Sequence, residues 1–137
     1  MKVSDSFLKQ LEELDKLDFL TDDYAITSSG PLAVRGIREA KDIDIVVTDS
    51  LWRKLKKKYS VEEKEVCDII KIGEIDILGN FKFNDPKYTS ENQVQNADIF
   101  LGKRFVNLET VVYFKKKLGR DKDLKDIELI TQYLKDN

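Results

Sequence analysis

Two aspartates, Asp42 and Asp44, interrupt an apolar run, Asp42-Ile43-Asp44-Ile45-Val46-Val47, that otherwise reads as a buried strand. Side chains alternate along a strand, so both carboxylates project from one face with Cα atoms roughly 6.5 to 7 Å apart. Ile43 and Ile45 then face the opposite layer. Paired acids repel and raise each other's pKa unless a cation lies between them. Hard oxygen ligands suit Mg²⁺, which takes one or two protein carboxylates and completes its octahedron with water and substrate phosphates. Upstream, Ser28, Ser29 and Gly30 make a small-residue turn ahead of a short helical segment, a source of hydroxyls and backbone N–H groups for a phosphate. Ser28 to Val47 therefore holds the parts of a site for a metal-bound nucleotide.

The order of these parts, a small-residue turn, a short helix with a glycine and an arginine, then Asp-x-Asp in a strand, resembles the core signature of the polymerase-β-like nucleotidyltransferase superfamily, particularly its minimal members. The resemblance implies that the turn of Ser28, Ser29 and Gly30 holds the triphosphate and that Asp42 and Asp44 bind two Mg²⁺ ions, with Mn²⁺ as a substitute. It also implies a third carboxylate on a later strand. Asp76, in Glu74-Ile75-Asp76-Ile77-Leu78, matches that acid, with Glu74 on the same face as the alternative. One position departs from the pattern: Pro31 stands where a hydroxyl or a flexible residue is expected, which leaves Ser28 or Ser29 to supply the hydroxyl. Near the C-terminus, Lys115, Gly119-Arg120, Lys122-Asp123-Leu124 and Asp126-Ile127 resemble the closing helical segment of small nucleotidyltransferases, whose basic residues assist nucleotide binding.

The activity so implied is transfer of a nucleoside monophosphate from an Mg²⁺-bound NTP, with ATP the expected one, to a hydroxyl acceptor, releasing pyrophosphate. Asp42, Asp44 and Asp76 are the expected catalytic and metal-binding residues, and Ser28, Ser29, Gly30, Arg38 and Lys115 the expected nucleotide-binding ones. The acceptor, whether small molecule, protein or RNA, is left open; its half of the site would come from the loop Asn84 to Asn96, a second copy of the chain or another protein. The rival expectation is a non-catalytic module of the same fold that binds a partner, such as an antitoxin subunit. Three intact acids weigh against it, because without a metal their repulsion brings only cost.

The elements that must position these residues are readable from periodicity. Ser4 caps a helix with Phe7, Leu8, Leu11, Leu14 and Leu17 on one face. Tyr24 to Thr27 reads as a strand leading into the turn, and Pro31 suits the first turn of the helix that follows. Arg35, Arg38 and Lys41 approach the acidic pair, either to meet phosphates or to balance Asp42 and Asp44. Asp49 or Ser50 caps a helix through Leu51, Trp52, Leu55 and Tyr59, whose lysine run reads as a solvated face rather than an RNA patch, since no aromatic platform interleaves with it. Val66 to Ile72 and Glu74 to Leu78 read as strands bent at Gly73, and Asp98 to Val106 as a strand pair turning at Gly102. Asn107 caps a helix, Leu108 to Leu118, with the stripe Leu108, Val111, Val112 and Leu118 and with Lys115 at its centre; Gly119 ends it. Leu124, Ile127, Ile130 and Leu134 form the stripe of the last helix, with Asp123 facing inward, so Lys115 either pairs with Asp123 or reaches the phosphates.

The expected fold is a small α/β (α+β) domain, a short mixed sheet with helices mostly on one side and the three acids at one edge of its open face. Its 137 residues, 41% hydrophobic and 36% charged, suit one domain spanning 1–137 with the helices of 107–136 beside the site. No apolar run has the length of a membrane span and MKVSDSFLKQ lacks the apolar core of a signal peptide, so a cytoplasmic location is expected. With no histidine and one cysteine, Cys67, read as a buried small hydrophobe, zinc sites, an internal disulfide and His-dependent nucleophilic catalysis are excluded. The net charge of −2 gives no global field favouring nucleic acid.

Overall fold

The computed structural model describes residues 3–83 and 85–137. Met1, Lys2 and Asn84 lie outside the described residues, so the readings of MKVSDSFLKQ and of the Asn84 to Asn96 loop are followed only from Val3 and from Asp85. Six strands, β1 (Tyr24–Thr27), β2 (Ile43–Val47), β3 (Asp68–Ile72), β4 (Ile75–Gly79), β5 (Asp98–Phe100) and β6 (Lys103–Phe105), form one mixed sheet in the order β3-β4-β2-β1-β6-β5. β2 runs parallel to β4 and β1 parallel to β6; the other neighbours are antiparallel.

Alternation along the central strands divides the core. Tyr24, Ile26, Ile43, Ile45, Ile75 and Ile77 pack on one face with Phe7, Leu11 and Leu14 of α1 (Asp5–Asp15) and Leu51, Trp52 and Leu55 of α3 (Asp49–Leu55). Ala25 and Val46 face the other way and pack with Leu32 of α2 (Gly30–Val34), Val94 of α4 (Ser90–Gln95), Val111 of α5 (Leu108–Leu118) and Ile130 of α6 (Asp121–Asp136). Helices therefore flank both faces, where the sequence suggested mostly one. The reason lies in Ala25 and Val46, fully buried apolar residues that need a cover of their own on the acidic side.

Local signals place most ends. The Ser4 hydroxyl accepts from the Phe7 N–H at 3.1 Å, and the Asn107 side chain accepts from the Thr110 N–H at 2.9 Å. Gly119 closes α5 in the left-handed region at φ +62°, and Gly73 turns β3 into β4 at φ +58°. Pro31 occupies the first turn of α2. Gly30 is demanded by packing, because a Cβ there would stand 2.3 Å from Ile26 Cγ2. Three expectations shift. Thr48, not Asp49 or Ser50, caps α3 by accepting from the Leu51 N–H, and α3 ends before Tyr59, which is exposed. Leu8 of α1 is exposed, and Leu17 follows the end of that helix. On α6 the buried positions are Asp123, Asp126 and Ile130, while Leu124 and Leu134 are half exposed to solvent or more. Among the described residues no helix is long and apolar enough to cross a membrane.

Candidate functional site

Asp44 is the second residue of β2, and Asp42 lies in the bend just before it. In the parallel pairing of β2 with β4, Asp44 stands opposite Asp76, flanked by the isoleucine pairs Ile43–Ile75 and Ile45–Ile77. Because facing residues in register share a side of the sheet, Asp44 and Asp76 project together on the face covered by α4, α5 and α6. Glu74 lies in the exposed turn before β4, away from this pairing, so Asp76 is the acid in register with Asp44. On the other side of Asp44, the antiparallel pairing with β1 brings Thr27, a buried residue that sequence reasoning did not single out.

The electrostatics follow from this crowding. Burial, then the nearby Asp76 and, more weakly, Asp42, push the Asp44 carboxyl up to about 6; the Ser28 hydroxyl and Lys115 oppose the shift. Lys71 is 3.6 Å from the partly buried Asp76, and its own exposure to water weakens what it does to neutralise the cluster. Among the described residues no three His, Cys, Asp or Glu side chains are gathered as a ready metal cluster. Asp42, Asp44 and Asp76 are thus neighbours in charge without forming a closed cage.

In front of Asp42 and Asp44 opens a cavity of about 480 Å³, bounded by the end of β1, the turn Ser28-Ser29, the loop carrying Arg38 and Lys41, and the facing sides of α5 and α6. Ser28 adopts φ +58°, a left-handed conformation uncommon outside glycine. Gly30 sits behind this wall, buried against Ile26, and does not line the cavity. Arg35 is turned away altogether. It donates to the Pro31 carbonyl and to Asp98, each at 2.8 Å, and lies over the Phe100 ring.

The far wall is an ion-pair network. Asp126 accepts from Arg38 Nε and Nη2, both at 2.7 Å, and lies 2.8 Å from Lys115 Nζ. Asp123 accepts from Arg120 Nε at 2.7 Å and from the Arg120 backbone N–H at 3.2 Å, with Lys115 Nζ at 3.7 Å. Burial works to raise both carboxyls, but the cations around them outweigh it and hold both below the ordinary aspartate value. Lys115 is therefore inward as its place in the stripe predicts, yet its nearer partner is Asp126 rather than Asp123. Asp126 stood in the C-terminal pattern but was not singled out as a site residue; it lies three residues beyond Asp123 on the same helical face.

Three cations share two carboxylates in this network, and Lys41, Lys122 and Lys125 add to the surplus around the cavity. The result is a cavity with acids on the sheet side and an excess of positive charge on the helix side. It has the size of a small-molecule site, with one wall suited to a cation and the other to phosphate. Comparison of the chain with protein families, with curated proteins and with solved structures finds no match.

Proposed function

We propose that this chain transfers a nucleoside monophosphate from an Mg²⁺-bound NTP to a hydroxyl acceptor. The observation that carries the reading is that Asp44, which lines with Asp42 a cavity whose opposite wall carries surplus cations, stands in register with Asp76 on the neighbouring parallel strand, just outside the cavity lining. The donor set fits Mg²⁺. Asp44 and Asp76 offer hard oxygens, Lys115 offsets their mutual repulsion only in part, so that the Asp44 carboxyl stays raised, and Mg²⁺ needs only one or two protein carboxylates. Asp42, Asp44 and Asp76 would hold it, and when bound it would polarise the α-phosphate and lower the pKa of the attacking hydroxyl.

The chain's own residues would do the rest. Lys115 and Arg38, fixed by Asp126, face the phosphates, while the Ser28 and Ser29 hydroxyls meet them from the sheet side. As the acceptor oxygen bonds to the α-phosphorus, the bond to the β-phosphate oxygen breaks and pyrophosphate leaves. Asp76, placed by its register with Asp44 and not by the cavity lining, would take the acceptor's proton, and charge growing on the pyrophosphate would be stabilised by Arg38, Lys115 and Arg120. ATP is the NTP to test first.

One observation favours the second reading, a non-catalytic module that binds a partner: no three carboxylates are gathered as a metal cluster among the described residues. Thermal unfolding with each NTP and Mg²⁺ tests the first. Mg²⁺-NTP at one hundred times its Kd should stabilise the protein by about 2.7 kcal/mol, and Asp42→Asn and Asp44→Asn should abolish the gain. Absence of any gain with all four NTPs overturns nucleotide binding. A gain without pyrophosphate release across candidate acceptors favours the binding module.

A further inference from the structure

We propose that the helix side of the cavity is a stacking seat for a nucleotide's base, one that holds the base without reading its edge; this rests on the nucleotide reading given above. On α5, Val111, Phe114, Lys115 and Leu118 recur at the spacing of one helical face and all line the cavity. Lys115 is taken by Asp126, so the remainder of that face is apolar. Leu129 of α6 lines the cavity as well, and Leu118 and Leu129 are 43% and 40% exposed. Large apolar side chains left open inside a cation-rimmed cavity call for an occupant that is apolar at one end and anionic at the other. A nucleoside triphosphate has that form. A lipid tail or an apolar peptide would leave Lys41, Lys122 and Lys125 uncompensated.

Phe114 is held in place for the task. Its ring packs against Phe81 at 5.2 Å, Phe83 at 5.6 Å and Tyr113 at 5.2 Å, between centroids, so its orientation is set before any ligand arrives. Base–aromatic stacking depends on ring area and not on the pattern of donors and acceptors. No Asn or Gln side chain lines the cavity among the described residues, and Asp123 and Asp126 are engaged by Arg120, Arg38 and Lys115. The edge of the base therefore meets no amide and no unengaged carboxylate on the helix side, and adenine and guanine should be accepted alike.

Calorimetric titration of the whole chain in Mg²⁺ with ATP, GTP, CTP, UTP and inorganic tripolyphosphate tests the seat. ATP and GTP should bind within about threefold of each other and about tenfold or more tighter than tripolyphosphate, a stacking contribution of ordinary size. Phe114→Ala should bring ATP close to tripolyphosphate while leaving tripolyphosphate unchanged. Because Phe114 also supports an aromatic cluster, Leu129→Ser, at a partly exposed position, should shift the same ratio in a chain that keeps its fold. Tripolyphosphate binding as tightly as ATP, or a preference of more than about tenfold between ATP and GTP, overturns the seat and spares the phosphate site. Failure of tripolyphosphate and every NTP to bind overturns the nucleotide reading itself.

Discussion

Asp44 carries an electrostatic penalty that pH can expose. Its carboxyl, ordinarily near 3.8, is pushed up to about 6 by burial and by Asp76 and Asp42. Between those values the folded chain keeps a proton that the unfolded chain has lost, so this group's stabilising contribution is full below the ordinary value and is lost as pH rises through about 6. In EDTA, Asp44→Asn should therefore raise stability at pH 7, by about 1–3 kcal/mol, and leave it nearly unchanged at pH 4. Urea unfolding at the two pH values measures this; equal effects at both would mean that Asp44 is not crowded. At this scale the sequence was informative where a residue contradicts its surroundings. Asp42 and Asp44 stand out because carboxylates interrupt an apolar strand. The partner of Arg38 was invisible, since Asp126 lies 88 residues away and nothing local says which cation a distant acid will meet.

Element boundaries were legible at several places where a side chain makes its own backbone hydrogen bond, as at Ser4 and Asn107 but not at Thr48, and where glycine permits a left-handed turn, as at Gly73 and Gly119. The orientation of α6 was legible only in part. Asp123 and Ile130 are buried as expected, but Asp126 is buried beside them while Leu124 and Leu134 of the expected stripe point out. Charge-assisted hydrogen bonds to Arg38, Arg120 and Lys115 outweigh the burial of two leucines, an exchange that hydrophobic periodicity cannot register. Ile130, fully buried, and Leu124, 50% exposed, separate the two orientations. Ile130→Ala should cost about 2–5 kcal/mol and Leu124→Ala less than about 0.5 kcal/mol in chemical denaturation. Equal losses would mean that α6 packs on its leucine stripe.

Over the whole molecule, the mixed α/β architecture was readable from alternating strands and amphipathic helices, whereas the two-sided cover was not. A strand such as Tyr24-Ala25-Ile26-Thr27 is buried throughout, and a short run of that kind does not announce how many layers it separates. Cys67 is part of the same interior. Burial, with a smaller contribution from Asp68, pushes its thiol up to about 12, so almost no thiolate exists at neutral pH. A chromogenic disulfide reagent should consume one thiol per chain in urea and essentially none in buffer; rapid reaction of the native protein would mean that the thiol is accessible. The practical result is a chain with a chemically silent background. A maleimide dye attached through Lys125→Cys, at the cavity mouth, would mark a single position while the native sulfur stays in place, giving a fluorescent readout of occupancy for any ligand offered to the protein.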